Sequence, residues 1–225
     1  SIFLNDQDNI DMRTIHPKYG FISERKYILR EVIRLKDMEV DFSGKTELTN
    51  VKSAFIPNTR SQVYFLEFND YYKDLPDLLY KSRNGRVYKN NAEKFSFFVE
   101  SSLETLKKLF WVPDVIIFND WQTSMLPILL KKRIENDPWF KNIKTVFFLH
   151  SNSSYYNFPN TLFNNLGIEH KNRKGSQNSM EIAINNADFT FVFDDLKDKK
   201  VKSLLKINNH KIIGSIDNLK SSEKL

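Results

Sequence analysis

The sequence predicts an α/β protein built on an open, mostly parallel sheet with a β-rich insert, and three observations predict it. Short, almost wholly apolar runs at Asp114–Phe118 (DVIIF), Lys144–Leu149 (KTVFFL) and Ala187–Phe193 (ADFTFVF) have the length and composition of buried parallel strands. Helical patterns lie between them, giving the strand, helix, strand alternation of a parallel sheet. The stretch from 31 to 68 is instead alternating or rich in β-branched and aromatic residues, which marks the insert.

In chain order, residues 10–15 (IDMRTI) alternate and lean to strand, and His16-Pro17-Lys18-Tyr19-Gly20 follows as a turn with Pro and Gly punctuation. The runs EVIRLKDMEVDF, KTELTNVKSAFIP and SQVYFLEF, separated by Ser-Gly and Pro-Asn signals, form a β-meander or mixed-sheet insert. From Asn91 to Phe110, Phe95, Phe98, Val99, Leu103, Leu106 and Leu109 recur at steps of three and four. That is the stripe of an amphipathic helix, and it stops before Pro113. A second helix is expected from about Trp121 to Ile134, another over Gln177 to Asn186, and a last short strand at Lys211 to Ile213. Lys197 to Lys206 (KDKKVKSLLK) reads as a solvated helix face and the final NLKSSEKL as a solvated tail. Ligands in open parallel sheets sit beyond the carboxyl ends of the strands, so functional residues are expected just after Phe118, Leu149 and Phe193.

Composition narrows the function classes. The formal charge is +6, but Lys and Arg interleave with Asp and Glu, which argues against a dedicated nucleic-acid surface. Without cysteine there is no disulfide framework, thiolate metal site or cysteine nucleophile, a composition that fits a cytoplasmic protein. The four histidines (16, 150, 170 and 210) are well separated, so no metal centre is expected. No apolar run is long enough to span a bilayer, and SIFLNDQDNID at the start lacks the basic-then-apolar order of an export signal. No membrane partner is expected.

The first apolar run leads into Asn119-Asp120-Trp121-Gln122-Thr123. By their types alone, Asp120 reads as a cap for the following helix and Trp121 as a packing residue. An aromatic beside a carboxylate is also a sugar-recognition pair: the ring covers the apolar face of a pyranose and the carboxylate accepts its hydroxyl protons. His150, after the second run, reads either as a structural histidine or as a neutral imidazole donating to a sugar hydroxyl.

Several segments together resemble the starch and glycogen synthase family. They are PDVIIFNDWQTSMLPILLKK (Pro113 to Lys132), IDMRTIHPKYG, and QVYFLEFNDYYKDLPDLLY followed by GRVYKNNAEKFSFF. The resemblance implies a Rossmann-like domain forming one half of a GT-B fold. It also implies glucose transfer from ADP-glucose or UDP-glucose to the non-reducing end of an α-1,4-glucan, with no metal and no cofactor. It points to Asp120 and His150 as catalytic residues and to Tyr80, Asn119, Trp121 and Gln122 as substrate-binding residues.

Departures from the family pattern are specific. Asn90 and Lys94 stand where the family has Asp and Arg, so an ion pair between those positions is lost. Ser151 replaces Asn, SNSSYYNF lacks the usual Tyr-Gln-Gly, and nothing in residues 1–20 matches the family's Lys-x-Gly-Gly-Leu loop. The family's carboxyl-terminal domain, required in cis or in trans, contributes the Arg and Lys that neutralise the diphosphate leaving group. The isolated chain is therefore expected to be nearly inactive, and the alternative is a non-catalytic glucan-binding or regulatory single-domain relative. The expected organisation is a leader at 1–9, a starch synthase amino-terminal catalytic-type domain at 10–213, incomplete at its start, and a hinge-like or disordered tail at 214–225.

Overall fold

The computed structural model describes residues 9–74, 79–150, 157–170, 175–192, 199–209 and 212–215. The chain divides into two compact units, residues 1–94 with 100–111, and residues 95–99 with 112–225.

The first unit contains β1 (Arg13–Pro17), a short α1 (Glu24–Tyr27), β2 (Arg30–Glu31), β3 (Met38–Phe42), β4 (Lys45–Phe55), β5 (Gln62–Glu67) and α2 (Asn69–Tyr72). They form one mixed sheet in the order β1-β5-β4-β2, with β3 also paired to β4. β1 runs parallel to β5, and the remaining pairs are antiparallel. β3 alternates as its sequence does, with Met38, Val40 and Phe42 buried and Glu39 and Asp41 exposed. Its hairpin to β4 turns on Ser43 and Gly44, both at positive φ, the backbone that a two-residue turn between twisted strands requires. The run expected as strand from Glu31 departs from this pattern at Ile33–Leu35, which form a 3-10 turn.

The turn after β1 is fixed by packing. Tyr19 is buried against Tyr72, and the Gly20 N–H donates to Tyr72 O at 2.9 Å. A Cβ on Gly20 would lie 1.8 Å from the Lys73 carbonyl oxygen, so no side chain fits there. Lys18 Nζ lies 2.9 Å from both Glu24 Oε1 and Glu67 Oε1, and Lys52 Nζ lies 2.6 Å from Glu24 Oε2. Hydrogen bonds from Lys52 and Lys18 pull the Glu24 carboxyl down to about 2.

Helix α3 (Asn91–Lys108) follows the expected stripe, with Phe95, Phe98, Val99 and Leu103 buried. Phe97 and the small residues Ser96 and Ser101 are buried as well, so this helix is enclosed on more of its circumference than the stripe alone indicates. Phe110, at φ 53°, ends it before Pro113.

The second unit holds β6 (Val115–Asn119), α4 (Leu126–Asn136), β7 (Lys144–Leu149), β8 (Asn157–Pro159), α5 (Asn160–Asn165), β9 (Ser176–Asn178), α6 (Ser179–Asn186), β10 (Phe189–Val192), α7 (Lys199–Ile207) and β11 (Ile212–Ser215). The four strands β11-β10-β7-β6 form a wholly parallel sheet. One face carries the buried residues Phe118, Thr145, Phe147, Leu149 and Thr190, and Phe118 stacks on Phe147 at 5.0 Å. β6, expected to be buried, is the last strand in the order. Its opposite face leaves Val115 and Ile117 exposed because this strand has a paired neighbour on one side only among the described residues.

Two boundaries differ from expectation for local reasons. The helix expected from Trp121 begins at Leu126; Trp121–Thr123 form a 3-10 turn, and Pro127 sits in the first turn of α4, where its missing N–H costs nothing. Gln177 lies in β9, paired with β8, and α6 starts after Asn178, whose side chain accepts the N–H groups of Met180 and Glu181. β11 runs through the expected boundary at 213 and ends at Ser215. Among the described residues, no helix is long and apolar enough to cross a membrane.

Candidate functional site

The carboxyl ends of β6 and β7 lie side by side because the two strands are parallel and in register, Asn119 opposite Phe148. Asn119, Asp120 and His150 therefore meet where a parallel sheet builds its sites. The His150 backbone N–H donates to Asp120 Oδ1 at 2.9 Å, and His150 Nε2 lies 2.9 Å from Asn119 Oδ1. With the amide oxygen as acceptor, Nε2 is the donor of that hydrogen bond. The Phe148 ring flanks the imidazole at 6.3 Å.

Asp120 adopts φ 51° and ψ −165°, a backbone region that is open to glycine and strained for a residue with a Cβ. Four hydrogen bonds hold the turn. The Asp120 N–H donates to Phe148 O at 3.1 Å, and its carboxylate takes the His150 N–H. Next to it, Thr123 Oγ1 accepts the Asn119 N–H at 2.9 Å and donates to Asn119 O at 2.8 Å. The expected helix-capping role is not what the carboxylate does, since it makes no capping bond to the turn that follows.

Trp121 is placed differently from a sugar-stacking platform. Its ring is 3 % exposed and meets Phe95 edge to face at 5.0 Å. The 3-10 turn after β6 folds the indole inward, so this ring anchors the loop. Gln122 is half-buried in the same turn, while Asn119 and His150 are exposed. The segment from Ser151 through Tyr156 and the residues directly after Phe193 lie outside the described residues, so the expectations placed there do too.

Tyr80 belongs to the first unit. Its carbonyl accepts Asn91 Nδ2 at 2.8 Å and the Tyr88 N–H at 3.0 Å, and the preceding Leu79 carbonyl accepts Lys94 Nζ at 2.7 Å. Lys94 is 1 % exposed, and burial pushes its ammonium down to about 8.

Sequence reasoning missed Thr123 and Phe148 as parts of the site. Thr123 was legible in part: a threonine four residues after a strand-end asparagine is a local side-chain-to-backbone pattern. Phe148 carried no signal beyond its place in an apolar run.

Residues 4–195 match the family described as the starch synthase catalytic domain. Curated relatives include the glycogen synthase of Pelodictyon phaeoclathratiforme, 39 % identical over 146 residues, and that of Chlorobium limicola, 40 % identical over 146 residues. Each of these alignments covers 65 % of this chain and 30 % of the relative, so the chain spans about 30 % of the length of the relatives it matches. Among solved structures, the catalytic domain of starch synthase IV from Arabidopsis thaliana, bound to ADP and acarbose, superposes with a TM-score of 0.68 at 18 % identity. That superposition covers 89 % of this chain and 43 % of the other, and at this identity it establishes the fold alone, a Rossmann-like domain of the kind that forms one half of a GT-B fold. With 192 of its 225 residues inside the family match, counted from residue 4 to residue 195, the chain belongs to the starch synthase catalytic domain family.

Proposed function

We propose that the chain is a starch or glycogen synthase-type glucosyltransferase domain that forms the sugar-contacting wall of a site for ADP-glucose or UDP-glucose and an α-glucan. The observation that carries this reading is Asp120, held in a strained backbone conformation at paired strand ends with its carboxylate fixed by the His150 N–H. Strain of this kind persists only where surrounding contacts over-determine it, and it clusters at functional sites.

In this reading the Asp120 carboxylate accepts protons from glucose hydroxyls, and His150, its ring oriented by Asn119, donates to or accepts from a further hydroxyl. Gln122 contributes a further polar contact and Trp121 holds the loop from beneath, while Tyr80 is a substrate-binding residue carried by the first unit. No cofactor takes part. We place the protein in the cytoplasm on its cysteine-free composition. The catalytic-type domain in this reading spans residues 10–213.

Glycosyl transfer from a nucleotide diphosphate needs positive groups on the departing diphosphate, and each such donor contributes roughly two to three orders of magnitude in rate. In this reading those groups come from a second GT-B domain in cis or in trans, so the 225-residue chain alone is nearly inactive. The test is incorporation of radiolabelled glucose from ADP-glucose and from UDP-glucose into glycogen. The expected result is incorporation at background level for this chain alone; vigorous turnover would overturn the division of labour.

A further inference from the structure

Tyr80 sits at the base of a hairpin-like loop. Lys81 and Val87 form an isolated antiparallel bridge, the Ser82 N–H donates to Arg86 O at 2.8 Å, and the turn passes through Gly85 at φ 83°. This loop is tied to the first turn of α3 at two points. Lys94 Nζ donates to Leu79 O at 2.7 Å and Asn91 Nδ2 donates to Tyr80 O at 2.8 Å. The two carbonyls belong to the peptide planes on either side of the Tyr80 Cα. Fixing both planes fixes φ and ψ of Tyr80, and with them the direction in which its side chain leaves the backbone.

The chemistry at the tie is costly for a purely structural contact. Lys94 is 1 % exposed, with its ammonium 5.6 Å from the centroid of the Tyr88 ring. An unbranched apolar side chain would fill the same space without desolvating a charge. Asn91 is also buried, and its Oδ1 has no hydrogen-bond partner among the described residues while its Nδ2 is committed to the Tyr80 carbonyl. The reverse amide orientation would set two oxygens against each other. α3 itself is held at this level by Tyr72, whose hydroxyl donates to Lys94 O at 2.9 Å.

We propose that Lys94, assisted by Asn91, is a positioning residue that fixes Tyr80 for sugar-nucleotide or glucan binding. The proposal rests on the reading of Tyr80 as a substrate-binding residue, and it gives position 94 the role of a donor to the Leu79 carbonyl. Burial keeps the ammonium only moderately basic, near 8, so it is still the main form at neutral pH.

Two measurements on Lys94→Met, Lys94→Arg and Tyr80→Ala separate this inference from the reading beneath it. Amide hydrogen exchange reads the tie directly, because the Tyr88 N–H donates to Tyr80 O. Lys94→Met should speed exchange at Tyr88 about tenfold while exchange in the last turns of α3 stays unchanged, and Lys94→Arg should restore protection. Unchanged exchange at Tyr88, or a loss of protection spread along all of α3, would overturn the positioning role whatever Tyr80 does. Calorimetry with maltoheptaose and with ADP-glucose then tests the connection to binding. Tyr80→Ala and Lys94→Met should each weaken binding of the same probe, and Lys94→Met should add nothing in the Tyr80→Ala background. An additive loss would overturn action through Tyr80. If Tyr80→Ala leaves both affinities intact while Tyr88 exchange responds as expected, the reading of Tyr80 is what fails, and the functional part of the proposal falls with it.

Discussion

Replacing Asp120 by alanine and, separately, by glycine separates backbone strain from side-chain chemistry. Both variants lose the carboxylate that accepts the His150 N–H at 2.9 Å, a hydrogen bond to a charged group worth about 1.5–3 kcal/mol. Alanine keeps the strain of φ 51°, ψ −165°, whereas glycine relieves about 1–3 kcal/mol of it. Glycine gives back about 0.5–1 kcal/mol through the greater freedom of its unfolded chain. Asp120→Gly is therefore expected to be about 1 kcal/mol more stable than Asp120→Ala, which for a chain of this size is about 3 °C in melting temperature. Urea unfolding followed by circular dichroism measures the difference, and both variants should lose sugar binding alike. A glycine variant no more stable than the alanine variant would refute the claim that Asp120 is held under strain.

Lys94 and Asp188 give two pH predictions, one in the alkaline range and one in acid, and in both stability rises with pH. The Lys94 ammonium is lowered by burial from 10.5 unfolded to about 8 folded, so between those values the unfolded chain binds more protons and stability rises with pH. The rise should total roughly 3 kcal/mol and vanish in Lys94→Met, which a comparison of urea midpoints at pH 7.5 and 10.5 reads; parallel curves for the two proteins would contradict it. Burial alone would raise the Asp188 carboxyl, but hydrogen bonds from the Thr145 N–H at 2.9 Å and hydroxyl at 2.8 Å, with Lys144 nearby, hold it below its ordinary value. Its contribution is thus present above the ordinary carboxylate range and lost as pH falls through the folded value. Thr145→Val should cost about 1.5 kcal/mol at pH 7 and less in acid, as acid-unfolding curves would report; an equal cost at both pH values would contradict it.

Much of the fold was legible because its signals are local. The apolar runs at β6, β7 and β10 and the three- and four-residue spacing in α3 each reflect a face that has to be buried, and each formed within a few residues of expectation. The meeting of Asn119, Asp120 and His150 followed from the same logic, since they are the residues that leave two adjacent parallel strands. Their mutual geometry was not legible, because it depends on the register between β6 and β7, which pairs residues about thirty positions apart. The burial of Trp121 depends on Phe95, and the value of Lys94 depends on a carbonyl fifteen residues earlier. In sequence Lys94 reads only as the loss of an arginine; in the fold it is a donor to the loop that carries Tyr80.

The most direct test of the central claim, that the ends of β6 and β7 form a sugar-contacting wall, is calorimetric titration of the chain with maltoheptaose beside Asp120→Gly and His150→Ala. The account predicts saturable binding by the parent chain at millimolar sugar or below, and a loss of about tenfold or more in each variant, the glycine variant remaining folded. Absence of saturable binding by the parent chain, or equal affinity in all three proteins, would contradict it.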